Sequence, residues 1–184
     1  MSALAAAAIS SEAVEPAPLE QWFAVWTRSR CETKVEDGLA RKGFEVFLPR
    51  IRLASRRRDR RATIDWPLFP GYVFLRFAPS REGYIGAAST EGVVRILGER
   101  WDALHALPDA QLEAVRRLVG TEERVRPVPW LANGDRVRIV RGPLAGIEGS
   151  IRDSRDGRAS FVVSLDLLQR SVAVEVPGEI LSRI

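Results

Sequence analysis

Short apolar runs alternate with helical spacings along the N-terminal part of this chain of 184 residues. A run of aromatic and β-branched residues at 22–26 predicts a strand. Within 32–42, Val35 and Leu39 lie four residues apart and Gly43 follows, which predicts an amphipathic helix with a glycine stop. The same reasoning predicts strands at 44–48, 71–77 and 93–97, and helices at about 81–88 and 108–119.

This order, β-α-β-β-α-β-α, predicts an α+β sandwich of ferredoxin-like type with its helices on one face. From residue 132 onward the apolar runs are short, β-branched and separated by turn residues, which predicts a small SH3-like β-barrel. Between the two, Pro127 and Pro129 favour a linker. We therefore predict a flexible tail at 1–20, an α+β domain at 21–120, a linker at 121–131 and a barrel at 132–184.

One segment of the predicted barrel is ambiguous. Residues 164–170 would fit a helix as well as a strand. The glycine and proline residues at 142, 143 and 146 favour the barrel, because helix interiors reject both residue types. We expect the barrel form and leave a second, helical state open.

Composition narrows the function classes. Hydrophobic content of 46% and charged content of 28% indicate a globular chain, and no apolar stretch is long enough for a membrane span. The single cysteine excludes an intramolecular disulfide, and the single histidine leaves no metal-ligand cluster. We expect a cytoplasmic protein without cofactors.

The positive charge is concentrated in one place. Residues 50–61 contain seven arginines and one aspartate, a net charge of +6, whereas the whole chain carries +4. A local basic patch of this kind is typical of a phosphate contact, although a solvated hairpin that tolerates arginine is the alternative. The candidate residues in the centre of the patch are Arg56, Arg57, Arg58, Arg60 and Arg61.

Two sequence motifs carry most of the information about function. Residues 68–72 read Leu-Phe-Pro-Gly-Tyr, and Pro70 and Gly71 predict a turn that displays Phe69 and Tyr72 at the start of a strand. These aromatics are either core residues or part of an apolar depression that receives a partner's helices. The second motif combines Gly134-Asp135 and alternating Val137 and Ile139 with a tight turn, as in a KOW motif. Its turn residues are Gly142, Pro143, Gly146 and Gly149.

In this order on one short chain, the two motifs resemble the NusG family of transcription elongation factors over about residues 21–184. The RfaH-like regulators of polysaccharide operons are the members that the chain resembles more than the housekeeping protein. The resemblance implies a non-enzymatic factor that suppresses pausing or termination. It also implies a hydrophobic surface for the clamp helices of the largest RNA polymerase subunit, formed by Trp26, Phe69, Tyr72 and Phe74.

The resemblance implies further partners. Arg28 and Arg30, together with the arginines at 56–61, are candidate contacts to non-template DNA or nascent RNA, since guanidinium groups pair with phosphate and stack on unpaired bases. The barrel is expected to contact a small-subunit ribosomal protein or the termination factor Rho. We expect a monomer with no membrane partner. Glu91 stands where RfaH-like members carry a DNA-reading arginine, and 83–86 lacks their hydroxyl-rich turn, so recognition of the same DNA element is not expected.

Two other functions remain as alternatives. A free RNA-binding or ribosome-associated KOW protein would act through the arginine-rich segment. A nucleic-acid-modifying enzyme has no paired carboxylates, metal ligands or nucleophile constellation in its favour. Whether the factor is general or operon-specialised is left open.

Overall fold

The computed structural model describes residues 19–54, 63–121, 125–129 and 134–184. The five arginines at 56–61 lie outside these residues. So do nearly all of the predicted tail and parts of the predicted linker. The N-terminal domain consists of β1 (Gln21–Thr27), α1 (Glu32–Arg41), β2 (Glu45–Phe47), β3 (Arg50–Ala54), β4 (Thr63–Pro67), β5 (Tyr72–Phe77), α2 (Arg81–Ala88), β6 (Val93–Ile96), β7 (Ala106–Leu107) and α3 (Asp109–Val119).

The main sheet of this domain has the antiparallel order β2-β5-β1-β6, and β7 pairs with β1. Helices α1 and α2 cover one face, where Phe23 and Val25 of β1 join Val35, Leu39 and Ala87 in a buried cluster. Because side chains alternate along a strand, the intervening residues of β1 point to the other face.

Helix α3 covers part of that other face. Its residues Leu112, Val115 and Leu118 are buried in one cluster with Trp22 and Phe74 of the sheet. The expectation that all helices share one face is therefore wrong for α3. Strands β1 and β5 carry apolar residues on both faces of the sheet, so the face opposite α1 and α2 also has to be buried. The apolar stripe of α3 packs against that face.

Strands β3 and β4 form a separate two-stranded ribbon. At its base Ile51 is buried among residues of the main core, and the guanidinium of Arg50 donates hydrogen bonds to the Glu36 carboxylate of α1. The sequence predicts a basic hairpin or loop at 50–66, and the described parts of this segment are the two strands of a hairpin.

The C-terminal domain is a six-stranded sheet of order β13-β9-β10-β11-β12-β8. Its strands are β8 (Arg126–Pro129), β9 (Asp135–Ile139), β10 (Glu148–Arg155), β11 (Arg158–Leu165), β12 (Arg170–Pro177) and β13 (Leu181–Arg183). Between β11 and β12 lies one 3₁₀ turn, Asp166–Leu168, followed by Gln169 in the left-handed region with φ 51°. The ambiguous segment at 164–170 therefore adopts the barrel form.

Strand β8 lies within the segment predicted to be a linker, and that part of the prediction needs correction. Its two prolines indicated a linker, but β8 is the last strand of the sheet order, and an edge strand tolerates residues that cannot donate to the ladder. Val128 also buries its side chain against Val162 and Ala173.

The two domains touch through α3. The buried apolar cluster continues from the main sheet through α3 into the barrel. At its edge, Nη2 of Arg117 donates to the carbonyl oxygens of Pro143, at 2.5 Å, and Ala145, at 2.9 Å. The predicted fold class, an α+β domain followed by a small β-barrel, is confirmed. Within the described part of the chain, no helix is long and apolar enough to cross a membrane.

Candidate functional site

The turn between β4 and β5 is held at both backbone groups of Gly71. Its N–H donates to the Glu32 carboxylate at 2.8 Å, and its carbonyl accepts from the Thr27 N–H at 2.9 Å. Gly71 has φ 86°, a conformation that side chains resist, which explains the glycine. Glu32 is buried at the start of α1, so the helix fixes the turn in place.

This turn sets Tyr72 directly beside Trp26. The two residues are register partners in β5 and β1, and Arg95 is the register partner of Trp26 on the opposite side, in β6. The Arg95 guanidinium lies over the Trp26 ring, 5.4 Å from its centroid. Tyr72, Trp26 and Arg95 thus form a row across three strands, which we call the open row.

The open row is accessible to a partner. Trp26 is 42% exposed, Arg95 is exposed and Tyr72 is partly buried. A flat aromatic ring next to a guanidinium offers both an apolar contact and hydrogen-bond donors, a combination common at protein interfaces. Sequence reasoning named Trp26 and Tyr72 but missed Arg95, whose only signal was its alternation with Val94 and Ile96 in β6.

Phe69 and Phe74, the other two aromatics expected at this surface, are buried. Phe69 is 2% exposed and Phe74 is fully buried, and their ring centroids are 5.8 Å apart in an edge-to-face contact. The expectation that the turn displays Phe69 is wrong, because the ring turns inward to pack on Phe74. In this conformation the two phenylalanines support the surface and do not face a partner.

Helix α3 closes the remainder of the same sheet face. The Arg116 guanidinium lies 5.5 Å from the Trp22 ring centroid and 5.1 Å from that of Phe47. It also forms ion pairs with Glu45 at 3.7 Å and Glu113 at 4.0 Å. Trp22, Phe47 and Phe74 therefore make up a covered half of the face beside the open row.

The predicted basic residues divide into two groups. Arg28 and Arg30 are exposed in the loop that follows β1, where the Arg28 N–H donates to Gly92 O at 2.8 Å and Arg30 has φ 61°. They belong to the same end of β1 as the open row. Arg56, Arg57, Arg58, Arg60 and Arg61 lie outside the described residues.

The ribbon presents an apolar surface that sequence reasoning did not identify. Ile64 and Trp66 are each 48% exposed, and pairing places them on the same side as Ile51. The alternation of apolar residues in β3 and β4 was the signal that could have revealed this. Arg52 and Asp65 face the other side, 3.9 Å apart.

Glu91 is engaged with a lysine. Its carboxylate accepts a hydrogen bond from Lys34 at 2.5 Å, and this bond, with the positive charge of Lys34, lowers the pKa of Glu91. Glu91 therefore stays ionised at neutral pH. Glu91 itself offers no hydrogen-bond donor to a phosphate, and the absence of an RfaH-type DNA contact at this position stays a prediction.

In the barrel, the KOW turn joins β9 to β10. Gly142 and Gly146 have φ 87° and 88°, and the Gly146 N–H donates to Ile139 O at 2.7 Å, with Pro143 between them. Gly149, predicted to belong to the turn, lies instead within β10. A Cβ atom there would come within 2.4 Å of the Val162 carbonyl oxygen, so close strand packing requires the glycine.

The chain is similar in sequence to known proteins over both domains. The sequence profile of the family described as "Transcription termination factor nusG" matches residues 20–128. NusG of Vibrio parahaemolyticus, a "Transcription termination/antitermination protein", is 25% identical over 170 residues, which cover 87% of this chain and 93% of that protein. The protein of the same name from Bacillus subtilis is 22% identical over 168 residues, covering 85% and 94% of the two chains.

Among solved structures, the chain is similar to NusG of Thermotoga maritima. The match has a TM-score of 0.56 and 25% identity, and covers 90% of this chain and 98% of that one. Because the family profile matches more than half of the chain, including β1, the turn at Gly71 and α3, this protein belongs to the NusG family of transcription termination and antitermination factors.

Proposed function

We propose that this protein binds RNA polymerase during elongation and suppresses pausing or termination, with the open row as its contact to the clamp helices of the largest subunit. The observation that carries the proposal is an exposed Trp26 held between Tyr72 and Arg95 on three paired strands of the sheet. Large aromatic and arginine side chains in such positions supply most of the binding energy of protein interfaces. The homologues support the non-enzymatic assignment, since they are transcription factors.

The effect on pausing would follow from selective binding. A factor shifts a conformational equilibrium only as far as its affinities for the two states differ. Contacts to the clamp and to nucleic acid on the same domain would favour the closed, active state of the elongation complex over the open or swivelled states that pause.

The test is co-migration with an assembled bacterial elongation complex at physiological salt, with the naked nucleic-acid scaffold beside it. The double variant Trp26→Ala/Tyr72→Ala should lose about 30-fold or more in affinity for the complex. Trp101→Ala is the matched control, because Trp101 is similarly exposed, at 40%, but lies in the loop before β7. Wild-type binding by the double variant would rule out the open row as the polymerase contact.

The nucleic-acid contact is the second part of the proposal. Arg28 and Arg30, with the arginines at 56–61, would contact non-template DNA or nascent RNA. The affinity should become less sensitive to salt whenever an arginine that binds phosphate is neutralised. Replacing the arginines at 56–58 should therefore reduce the slope of log affinity against log salt concentration, and an unchanged slope would exclude them.

For the barrel we propose a contact with a small-subunit ribosomal protein or with Rho. The full chain, mixed with each purified partner in turn, would distinguish the two. Specialisation for particular operons, as in RfaH-like members, rests on the resemblance of residues 22–72 and 164–168. A gene position at the head of a long surface-polysaccharide operon would support it, and a position among housekeeping genes would oppose it.

The second candidate function is a free RNA-binding protein. It is favoured by the net charge of +6 at residues 50–61. It requires equal binding to naked RNA and to the elongation complex, and loss of both when Arg56, Arg57 and Arg58 are replaced. Binding that depends on polymerase would exclude it.

A further inference from the structure

The arginine of the open row has an aromatic partner but no acidic one. The Arg95 guanidinium lies over the Trp26 ring, on β6 at the edge of the main sheet. In the part of the chain that the structure describes, this guanidinium has no carboxylate partner and no hydrogen-bond acceptor. Stacking on a ring leaves the N–H groups of a guanidinium directed outward in its plane. Arg95 therefore presents a positive charge and several donors beside an exposed indole.

The covered half shows how the same kind of pair is completed inside this protein. Arg116 of α3 stacks on the Trp22 ring. Its guanidinium also pairs with Glu45 of β2, at 3.7 Å, and with Glu113 of α3, at 4.0 Å. There the covering helix supplies the arginine and the sheet supplies one of the carboxylates. In the open row the sheet supplies the arginine, so a carboxylate has to come from the molecule that covers it.

The charges around the open row favour an acidic partner. Arg28 and Arg30 follow β1 at the same end, and the hydrogen bond from the Arg28 N–H to Gly92 O holds their loop beside β6. Two carboxylates at this end of the domain are already engaged, Glu32 with the turn before β5 and Glu91 with a lysine of α1. Because complementary charge favours association, a negatively charged contact suits this surface better than a neutral one.

The spacing of the row matches a helix. Neighbouring strands lie about 4.8 Å apart, and a helix rises about 5.4 Å per turn. A helix that crosses the strands along the row therefore repeats its side chains in step with Tyr72, Trp26 and Arg95. Side chains one turn apart can place apolar groups on the two aromatic rings and a carboxylate on the guanidinium. A stacked nucleobase fits less well, since Arg95 already occupies one face of the Trp26 ring.

We propose that the polymerase helix that docks on the open row carries an aspartate or glutamate one helical turn from an apolar residue, and that this carboxylate pairs with Arg95. The inference rests on the proposed function for the identity of the partner. A guanidinium and a carboxylate bond in a fixed planar geometry. Arg95 thus sets the register of the docked helix, while Trp26 and Tyr72 supply the apolar contact.

The test is a charge exchange in the co-migration assay with the elongation complex. Arg95→Glu should lose about tenfold in affinity, because it sets two carboxylates against each other. Polymerases are then assembled in which each aspartate or glutamate of the clamp helices is replaced in turn by lysine. One of them should bind the wild-type protein weakly and Arg95→Glu at close to the original affinity. If no polymerase variant shows this exchange, the carboxylate contact is wrong.

Arg81→Glu is the matched control. It makes the same change of charge at an exposed arginine at the start of α2, the helix that covers the opposite face of the sheet. It should bind each polymerase as the wild type does. Arg95→Gln should lose severalfold, less than Arg95→Glu, because it removes an attraction without adding a repulsion, and thermal unfolding shows whether either variant is intact. A loss of equal size on the naked scaffold would make the ligand a phosphate and overturn the inference.

The inference and the proposed function fail in different ways. Wild-type binding by Trp26→Ala/Tyr72→Ala would remove the open row as the polymerase contact, and the inference with it. Loss of binding in that double variant, together with unchanged binding by Arg95→Glu, would leave the proposed function standing and overturn the carboxylate contact alone.

Discussion

Two halves of one sheet face carry the same kinds of side chain and have opposite surroundings. In the covered half, Trp22 and Phe74 lie beneath α3, and Arg116 stacks on the Trp22 ring. In the open row, Trp26 and Tyr72 lie on the same face of the same two strands, beyond Ala24 and Phe74, and Arg95 stacks on Trp26. Coverage by α3, and not residue type, separates core from candidate interface.

The largest expected effect is a loss of stability caused by a substitution in the covered half. Phe74→Ala should lower the free energy of unfolding by about 3–5 kcal/mol, because it removes a fully buried ring and leaves a cavity. Urea denaturation monitored by circular dichroism would measure the loss. Trp26→Ala should cost far less, since the ring is 42% exposed. Comparable losses for the two variants would contradict the division of the face into two halves.

The next effect concerns the turn that places Tyr72. Glu32→Ala removes the buried acceptor of the Gly71 N–H and should cost about 1–3 kcal/mol. It should also weaken polymerase binding, because the open row would lose its fixed geometry. Urea denaturation would measure the loss of stability, and co-migration with the elongation complex would measure the loss of binding, on the same preparation of the variant.

A matched control for that variant is Glu91→Ala, which removes an exposed carboxylate that pairs with Lys34 of α1 and should leave stability unchanged. If Glu32→Ala unfolds normally and binds polymerase normally, the carboxylate has no positioning role.

A smaller effect is expected at the boundary between α3 and the covered half. Arg116→Ala should destabilise the domain by roughly 1 kcal/mol, because it removes two partly exposed cation–π interactions. Arg116→Lys should fall between the wild type and the alanine variant, since it keeps the charge but not the planar group. Thermal unfolding of the three proteins measures the order, and an order other than this one would argue against stacking.

The smallest effect on stability, and the sharpest contrast, is expected at Arg95. Arg95→Ala should change the free energy of unfolding by less than about 0.5 kcal/mol, as exposed substitutions usually do. Its affinity for the elongation complex should fall severalfold. A loss of stability like that of Arg116→Ala, with unchanged polymerase binding, would make Arg95 a purely structural residue.

Much of the fold could be predicted from the sequence because local signals were strong. The spacing of Val35 and Leu39 and the run at 71–77 gave the correct elements, and the prediction for α2 agrees with its observed bounds, Arg81–Ala88. Strand β8 was missed because proline weakens a strand signal, whereas its place at the edge of a sheet is a tertiary fact. The position of α3 was missed for a similar reason, since an amphipathic pattern does not identify the face that it covers.

The candidate site was harder to predict than the fold. Sequence spacing placed Phe69 and Tyr72 close together, but it could not tell which of the two rings turns inward. Arg95 is distant from Trp26 in sequence and joins it only through strand pairing. Exposure of Trp66 likewise depends on how far the ribbon extends beyond the core.

The hydrogen bonds from Arg117 have a consequence for how the barrel can change over time. They end on the main-chain carbonyls of Pro143 and Ala145, groups that every residue type possesses. These two hydrogen bonds therefore persist whatever side chains stand at 143 and 145. Leu144 lacks that freedom, because its side chain is buried in the apolar cluster that joins α3 to the barrel.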